Sequence, residues 1–272
     1  MPAANSPPFA FPLPSLRLAL RCAALCLAPI VALLLASAAA AQDKGLVTIE
    51  FDPADFNDSR TIDNTYFPLI PETIFTYRGE GEDGCEWNVF KVTDDDTKVV
   101  AGVPVVVVID QAYEDEACDG FSGDELIERT HDWFAQDDHG NVWYLGEFSE
   151  DCEGDTDCAV NDGSWEAGID GAKPGIQMLA MPASGNRYYQ EYYEDHAEDQ
   201  AKVDRTDAWV SLYDSTVFDR DLHHCIRTKE WTALEPGAIE HKFYCPQVGL
   251  VLVEELKGRT LRVELVDLIP SP

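Results

Sequence analysis

The chain is short of positive charge. It has 19 Lys and Arg against 51 Asp and Glu among 272 residues, a formal net charge of −32. Phosphate backbones and anionic lipid surfaces are gripped by Lys and Arg. Nucleic acid and anionic membrane surfaces are therefore not expected partners. The acids are spread along the whole chain, which is the pattern of a solvated surface. Catalytic signatures are missing too. The six His never form His-x-x-x-His or His-Glu-x-x-His, and there is no Cys-x-x-Cys. Ser164 lies in "NDGSWEAG", which is not the Gly-x-Ser-x-Gly of a nucleophile elbow. No amphipathic helical pattern of any length occurs, and no Ser/Gly linker divides the chain. A single domain follows.

What is present begins with a different kind of segment. Residues 1–41 carry Arg17 and Arg21 but no acid. They run through Ala, Leu, Val and Ile from Cys22 and end in Ala39-Ala40-Ala41. Basic n-region, apolar h-region and small-residue cleavage site read as a secretory signal peptide. The expected product is one secreted β domain, 42–272, in the periplasm or the medium. No later stretch is apolar enough to span a bilayer.

Six Cys follow the leader: Cys85, Cys118, Cys152, Cys158, Cys225 and Cys245. An even count in an exported chain reads as disulfides, with fifteen connectivities open in principle. Two pairings are suggested locally. Cys152 and Cys158 could close a small loop. Cys225 and Cys245 flank a strand-turn-strand that would set them face to face. Cys85 and Cys118 are then left for each other.

Runs rich in β-branched and aromatic residues recur every 10 to 15 positions, punctuated by Gly, Asp and Pro. "IFTYRG", "EWNVFKVT", "LIERTHDWFAQ", "NVWYLGEF", "DAWVSLYDS", "HHCIRTKEW", "IEHKFYCPQ", "LVLVEELKG" and "TLRVELVDL" all read as strands. "KVVAGVPVVVVIDQAYE" is broken at Ala101-Gly102. "RYYQEYYED" reads as an aromatic strand or a short helix, and 149–175 as Gly- and Asp-rich loop. The fold class is all-β: an antiparallel meander forming a disulfide-stapled barrel-like or sandwich-like domain.

The densest stretch is "HDWFAQDDHGNVWYLGE" (131–147). With Asp138-His139-Gly140 as a three-residue turn, Ala135 faces Trp143, Trp133 faces Leu145 and His131 faces Glu147. Asp137 and Asp138 suit such a turn without a metal. Both hairpin faces are apolar and aromatic, so both are expected to be covered. Trp133, Trp143 and Tyr144, with Trp165, Tyr188 and Tyr192 further on, are the candidates for lining a ligand cavity; Trp and Tyr pair an apolar body with a polar tip. Asp151, Glu153, Asp155 and Asp157 alternate, with Asp162 close by, and offer hard oxygen ligands suited to calcium. Asp132 and Glu147 are the candidates for carboxylate chemistry.

Four blocks resemble a family of secreted bacterial proteins known mainly as hypothetical proteins. They are 62–79, 131–147, 163–178 and 234–255, with DW-x-AQD-x-x-GNVWY-x-GE the most specific. The resemblance implies an exported β-rich domain and carries no established activity, so no catalytic residues transfer. Two departures stand out. Glu72 stands where the family pattern has Gly, and the six Cys look like a local stabilising addition. The expected function is a non-catalytic binding module of the cell envelope or extracellular space, with a small molecule or a cation as partner. A calcium-dependent adhesive protein and a carboxylate hydrolase are the alternatives.

Overall fold

The computed structural model describes residues 45–271 apart from 82–83, 96, 121–124, 155, 214, 219–220 and 257–260. The expected signal peptide thus lies outside the described residues, as does Asp155. No α-helix occurs among the described residues, and a short 3-10 turn lies at Pro53–Asp55.

Two antiparallel meanders build the sheet. The first runs β1 (Ile74–Gly81), β2 (Gly84–Val92), β5 (Val106–Asp115), β6 (Leu126–Gln136), β7 (Val142–Cys152) and β10 (Lys173–Met178). Between β2 and β5 the chain makes the small hairpin β3 (Val99–Val100) and β4 (Val103–Pro104), turning at Ala101-Gly102 as the sequence break indicated. Short β8 (Cys158–Val160) and β9 (Trp165–Glu166) pair along β7. The second meander runs β13 (Asp199–Val210), β14 (Leu222–Thr232), β15 (Glu240–Cys245), β16 (Gly249–Glu255) and β17 (Arg262–Ile269). β17 pairs with β1 and joins the two runs.

The far edges are brought together by one segment. β11 (Arg187–Tyr189) pairs with β13, and β12 (Glu191–Tyr192), two residues on, pairs with β10. A single residue, Gln190, separates the two strands and donates its N–H to Asp199. Residues 187–192 thus leave one edge and join the other, giving a nearly closed, barrel-like sheet. Near-closure covers strand edges that would otherwise recruit other chains. It also explains "RYYQEYYED": the segment is two short strands rather than a helix, because it must hydrogen-bond in two directions.

β10 lies partly inside the stretch read as loop. Pro174 and Gly175 hide it from a propensity reading, but its carbonyls and amides are satisfied by β7 and β12. Gly175 is there for space. A Cβ on it would sit 2.2 Å from the Gln190 carbonyl, a close backbone approach only glycine permits.

All three disulfides link the pairs suggested by the sequence: Cys85–Cys118, Cys152–Cys158 and Cys225–Cys245. The last spans β14 and β15 in register, beside the Ile226–Tyr244 pair.

The 131–147 hairpin corrects the expected register. Ala135 does face Trp143, and Phe134 faces Tyr144. Beyond that a bulge intervenes, so Asp132 faces Glu147 and His131 faces Phe148. The cause is Gly146, with φ +138° and no room for a Cβ, which would lie 2.4 Å from the Trp165 carbonyl oxygen. One extra residue in β7 moves Glu147 onto the face of Asp132 and Tyr144.

The departure at Glu72 also has a structural meaning. Its φ is +68°, in the left-handed region that favours Gly. Glu72→Gly is expected to stabilise the fold by about 0.5–1 kcal/mol. Urea unfolding checks it, and a loss of stability would contradict the strain account.

Candidate functional site

Alternation along the strands sends a polar set into the barrel. Eight Asp and Glu are buried among the described residues, against one buried Lys, Lys242. Burying a carboxylate is costly unless it is paired, hydrogen-bonded or protonated. Each of these acids therefore needs a named solution.

Asp137 is solved by the hairpin turn. Its Oδ1 accepts from the backbone N–H of His139 and Asn141 at 3.0 and 2.8 Å; its Oδ2 accepts from the Asn141 side-chain amide and the Trp143 indole at 2.8 and 2.9 Å. Gln136 and Asn64 then tie the turn to the lead-in. Gln136 accepts from the Asn64 N–H at 2.9 Å, and the Asn64 amide donates to Gly140 at 2.9 Å. The family-like blocks 62–79 and 131–147 therefore meet in one hydrogen-bonded corner.

Asp132 and Glu147 share a tyrosine. The Tyr144 hydroxyl lies 2.7 Å from Asp132 Oδ1 and 2.8 Å from Glu147 Oε2, and all three residues are at most 2 % exposed. A phenol has one proton to donate. If both contacts are hydrogen bonds, one carboxyl must be protonated and donate to the phenol oxygen. Burial pushes the Asp132 carboxyl up to about 8, a shift the Tyr144 bond opposes and the Glu128 charge reinforces. Burial likewise raises Glu128 to about 7. The bulge at Gly146 creates this trio, which the unbulged register would not have assembled.

These raised values make stability pH-dependent with a definite sign. A carboxyl that holds its proton in the fold but loses it near pH 4 when unfolded stabilises the fold fully below about pH 4. That contribution falls as pH rises and is gone above its folded value. Stability from Asp132 and Glu128 should therefore decline between pH 4 and 8. Asp132→Asn should flatten that decline and raise stability at pH 8. Urea titrations at pH 5, 6.5 and 8 read it directly; an unchanged slope in the variant would refute the assignment.

Lys242 is held between Glu230 and Glu240, at 3.1 and 3.0 Å. Burial alone would lower its ammonium, but the two carboxylates outweigh that and hold it above the ordinary lysine value. Glu230 also accepts from Thr228 at 2.6 Å and Tyr244 at 3.3 Å.

Beside this pair lies a cavity of about 30 Å³. Its walls are Phe67, Leu69, Phe75, Tyr77 and Phe90; Pro68, Val248 and Leu250 stand at its mouth. Asn88, Asp110 and Lys242 are its polar lining. Asn88 is 1 % exposed, and neither end of its side-chain amide has a protein partner. Asp110 Oδ1 is also without one. Burial first, then the Asp132 and Glu128 charges, push the Asp110 carboxyl well above the usual carboxylate range. Tyr77 closes one side by donating to the Leu250 carbonyl at 3.0 Å. The walls are apolar with a few convergent polar groups, but a space of this size admits only a group of a few heavy atoms, far less than the several hundred Å³ of an ordinary ligand pocket.

The residues singled out from sequence fall elsewhere. Trp133, Trp143, Tyr144, Trp165 and Tyr188 are 0–8 % exposed, and Tyr192 is half-buried. Trp143 packs edge-on to Phe51, Tyr144 stacks on Phe134, and Trp165 meets Tyr144 edge-on. Lys98 Nζ sits 3.7 Å from the Trp133 ring centre. None of the six lines the cavity. Asp132 and Glu147 do come together with a raised carboxyl; both are buried and neither lines this cavity. In the acidic loop, Asp151, Glu153, Asp157 and Asp162 are exposed, and Asp151 accepts from the Asn161 amide at 2.9 Å. Among the described residues no three His, Cys, Asp or Glu are placed to hold a metal ion.

Fold and site together define a disulfide-stapled, barrel-like β protein whose mainly apolar interior holds several buried carboxyl groups and one buried lysine. No family model matches the chain, and no curated protein matches it. Two crystal structures resemble it. One is of a Bacteroides fragilis protein described as exported and of YmcC-like fold, 13 % identical, with a TM-score of 0.40 over 76 % of this chain and 100 % of that one. The other is of a Parabacteroides distasonis protein described as a lipoprotein, 10 % identical, with a TM-score of 0.35 over 76 % of this chain and 99 % of that one. Likenesses this distant carry no functional information.

Proposed function

We propose that the protein is an exported, non-catalytic binding module that takes the polar head of a slim, apolar small molecule into the Asn88 cavity. Export is supported by the leader-like residues 1–41 and by three disulfides, which persist in oxidising compartments. The observation that carries the binding reading is the Asn88 side chain. A buried amide with both donor and acceptor unpartnered costs about 1–3 kcal/mol per group, and a ligand head offering both recovers that cost.

The surroundings choose the head. Glu230 and Glu240, on either side of Lys242, disfavour an anion, and Lys242 disfavours a cation. A neutral group that donates and accepts, such as a carboxamide, fits Asn88 face to face. The tail lies over Pro68, Val248 and Leu250. Titration calorimetry with hexanamide and hexanoate tests this. Hexanamide should bind more tightly than hexanoate at pH 7. No heat with hexanamide up to about 10 mM, where only the weakest specific complexes are missed, would sink the proposal.

A further inference from the structure

We propose a second site, on the outer face of the barrel, for neutral oligosaccharide. It rests on different residues from the cavity and stands or falls separately.

The end of β13 and the residues after it fold over the outer surface of β15, β16 and β17. Between them is a groove of about 200 Å³. Its floor is Phe243 and Leu252, which are 6 % and 2 % exposed. Its walls are Trp209 and Tyr213, which are 64 % and 77 % exposed. So much aromatic surface in water is unusual beside the rest of β13, where Lys202, Asp204, Arg205, Thr206 and Asp207 are the other exposed residues. Exposed apolar area is unfavourable by about 25 cal/mol per Å², and a concentrated aromatic patch marks a contact surface.

Both rings are propped in place. His223 stacks behind Trp209 with centroids 5.9 Å apart and planes 19° apart. The Arg262 guanidinium lies 4.7 Å from the centre of the Tyr213 ring. Arg262 is itself fixed, donating to Glu254 at 3.0 Å and to the Ser211 carbonyl at 2.6 Å. The aromatic walls are thus pre-organised, with a carboxylate and a guanidinium set between them, which lowers the ordering cost of binding.

A sugar ring matches this arrangement. Its C–H faces are apolar and pack flat on Trp and Tyr, while its rim of hydroxyls both donates and accepts and so stays solvated or meets the polar edge formed by Glu254, already paired with Arg262. Arg262 is shared between Glu254 and Glu264, so the groove carries no spare positive charge, and the chain's net charge of −32 repels uronic acid or sulfated polymers. Neutral hexose chains are the class that remains. A concave groove with exposed aromatic walls and an ion pair between them suits a saccharide better than it suits the flat apolar face of a protein partner.

The test is titration calorimetry of the oxidised protein with cellohexaose, maltohexaose and mannohexaose, and with oligogalacturonate as the acidic probe. At least one neutral hexasaccharide should bind with Kd below about 1 mM. Trp209→Ala and Tyr213→Ala should each weaken it at least tenfold while keeping the wild-type melting temperature, because both side chains are largely in solvent. Asn88→Leu should leave it unchanged. Binding of oligogalacturonate alone, binding of none of the four, or binding indifferent to Trp209→Ala would overturn the proposal. So would loss of a protein partner, rather than a sugar, in the Trp209 variant.

Discussion

Lys242→Met should cost the fold about 3–5 kcal/mol at pH 8, the range for removing one partner of a buried ion pair. The reason is not the lost attraction itself. Lys242 is the one buried Lys or Arg among the described residues, and it stands between Glu230 and Glu240. Without it, Glu230 stays buried with only hydroxyl donors from Thr228 and Tyr244, beside the half-buried Glu240. They can escape by taking up protons. The loss should therefore be smaller at pH 5 than at pH 8, and combining Lys242→Met with Glu230→Gln and Glu240→Gln should recover much of it. Urea unfolding at both pH values measures the whole set. An equal loss at pH 5 and 8 would show that packing, not charge, holds Lys242 in place.

Asp137→Ala should cost about 3 kcal/mol or more. Four donors converge on that carboxylate, and hydrogen bonds to a charged acceptor contribute about 1.5–3 kcal/mol each, without being additive. Removing it also leaves the buried Trp143 indole and the Asn141 amide without their acceptor. Asp137→Asn keeps one acceptor oxygen and should fall between wild type and Ala. If the alanine variant unfolds within 1 kcal/mol of wild type, the turn is held by the lead-in contacts through Asn64 and not by Asp137.

This turn is where the sequence was most legible. The pairing of two Asp with Gly-Asn between apolar strands specifies a hairpin by local chemistry alone, and the observed Ala135–Trp143 register follows from it. Cys225 and Cys245 were legible for the same reason: a hairpin sets their spacing. Glu72 was not legible: nothing in its own residue type signals the left-handed backbone, φ +68°, that it adopts.

The rest depended on contacts that no local pattern encodes. The bulge exists because the Trp165 carbonyl crowds Gly146 from a strand 19 positions on. β10 exists because β7 and β12 satisfy a segment that Pro174 and Gly175 disguise. The candidate site was half visible. Alternation places Asn88 on one face with Phe90 and Val92, and Asp110 interrupts the apolar run "VVVVIDQ". A charged residue inside a β-branched strand was the available signal. Which face becomes the interior is set by near-closure through residues 187–192, a long-range event. Trp133, Trp143, Tyr144, Trp165 and Tyr188 are buried in the core instead, as large aromatic residues mostly are.

The most direct measurement is urea unfolding of wild type and Asn88→Leu, each with and without hexanamide. If the Asn88 amide is kept for a ligand, leucine removes two unpartnered buried groups and leaves a near-isosteric side chain. The variant should then be more stable than wild type by about 1 kcal/mol or more, and only wild type should gain stability from hexanamide. A destabilised Asn88→Leu, or one that hexanamide stabilises as much as wild type, would make Asn88 a structural residue and remove the cavity from the account.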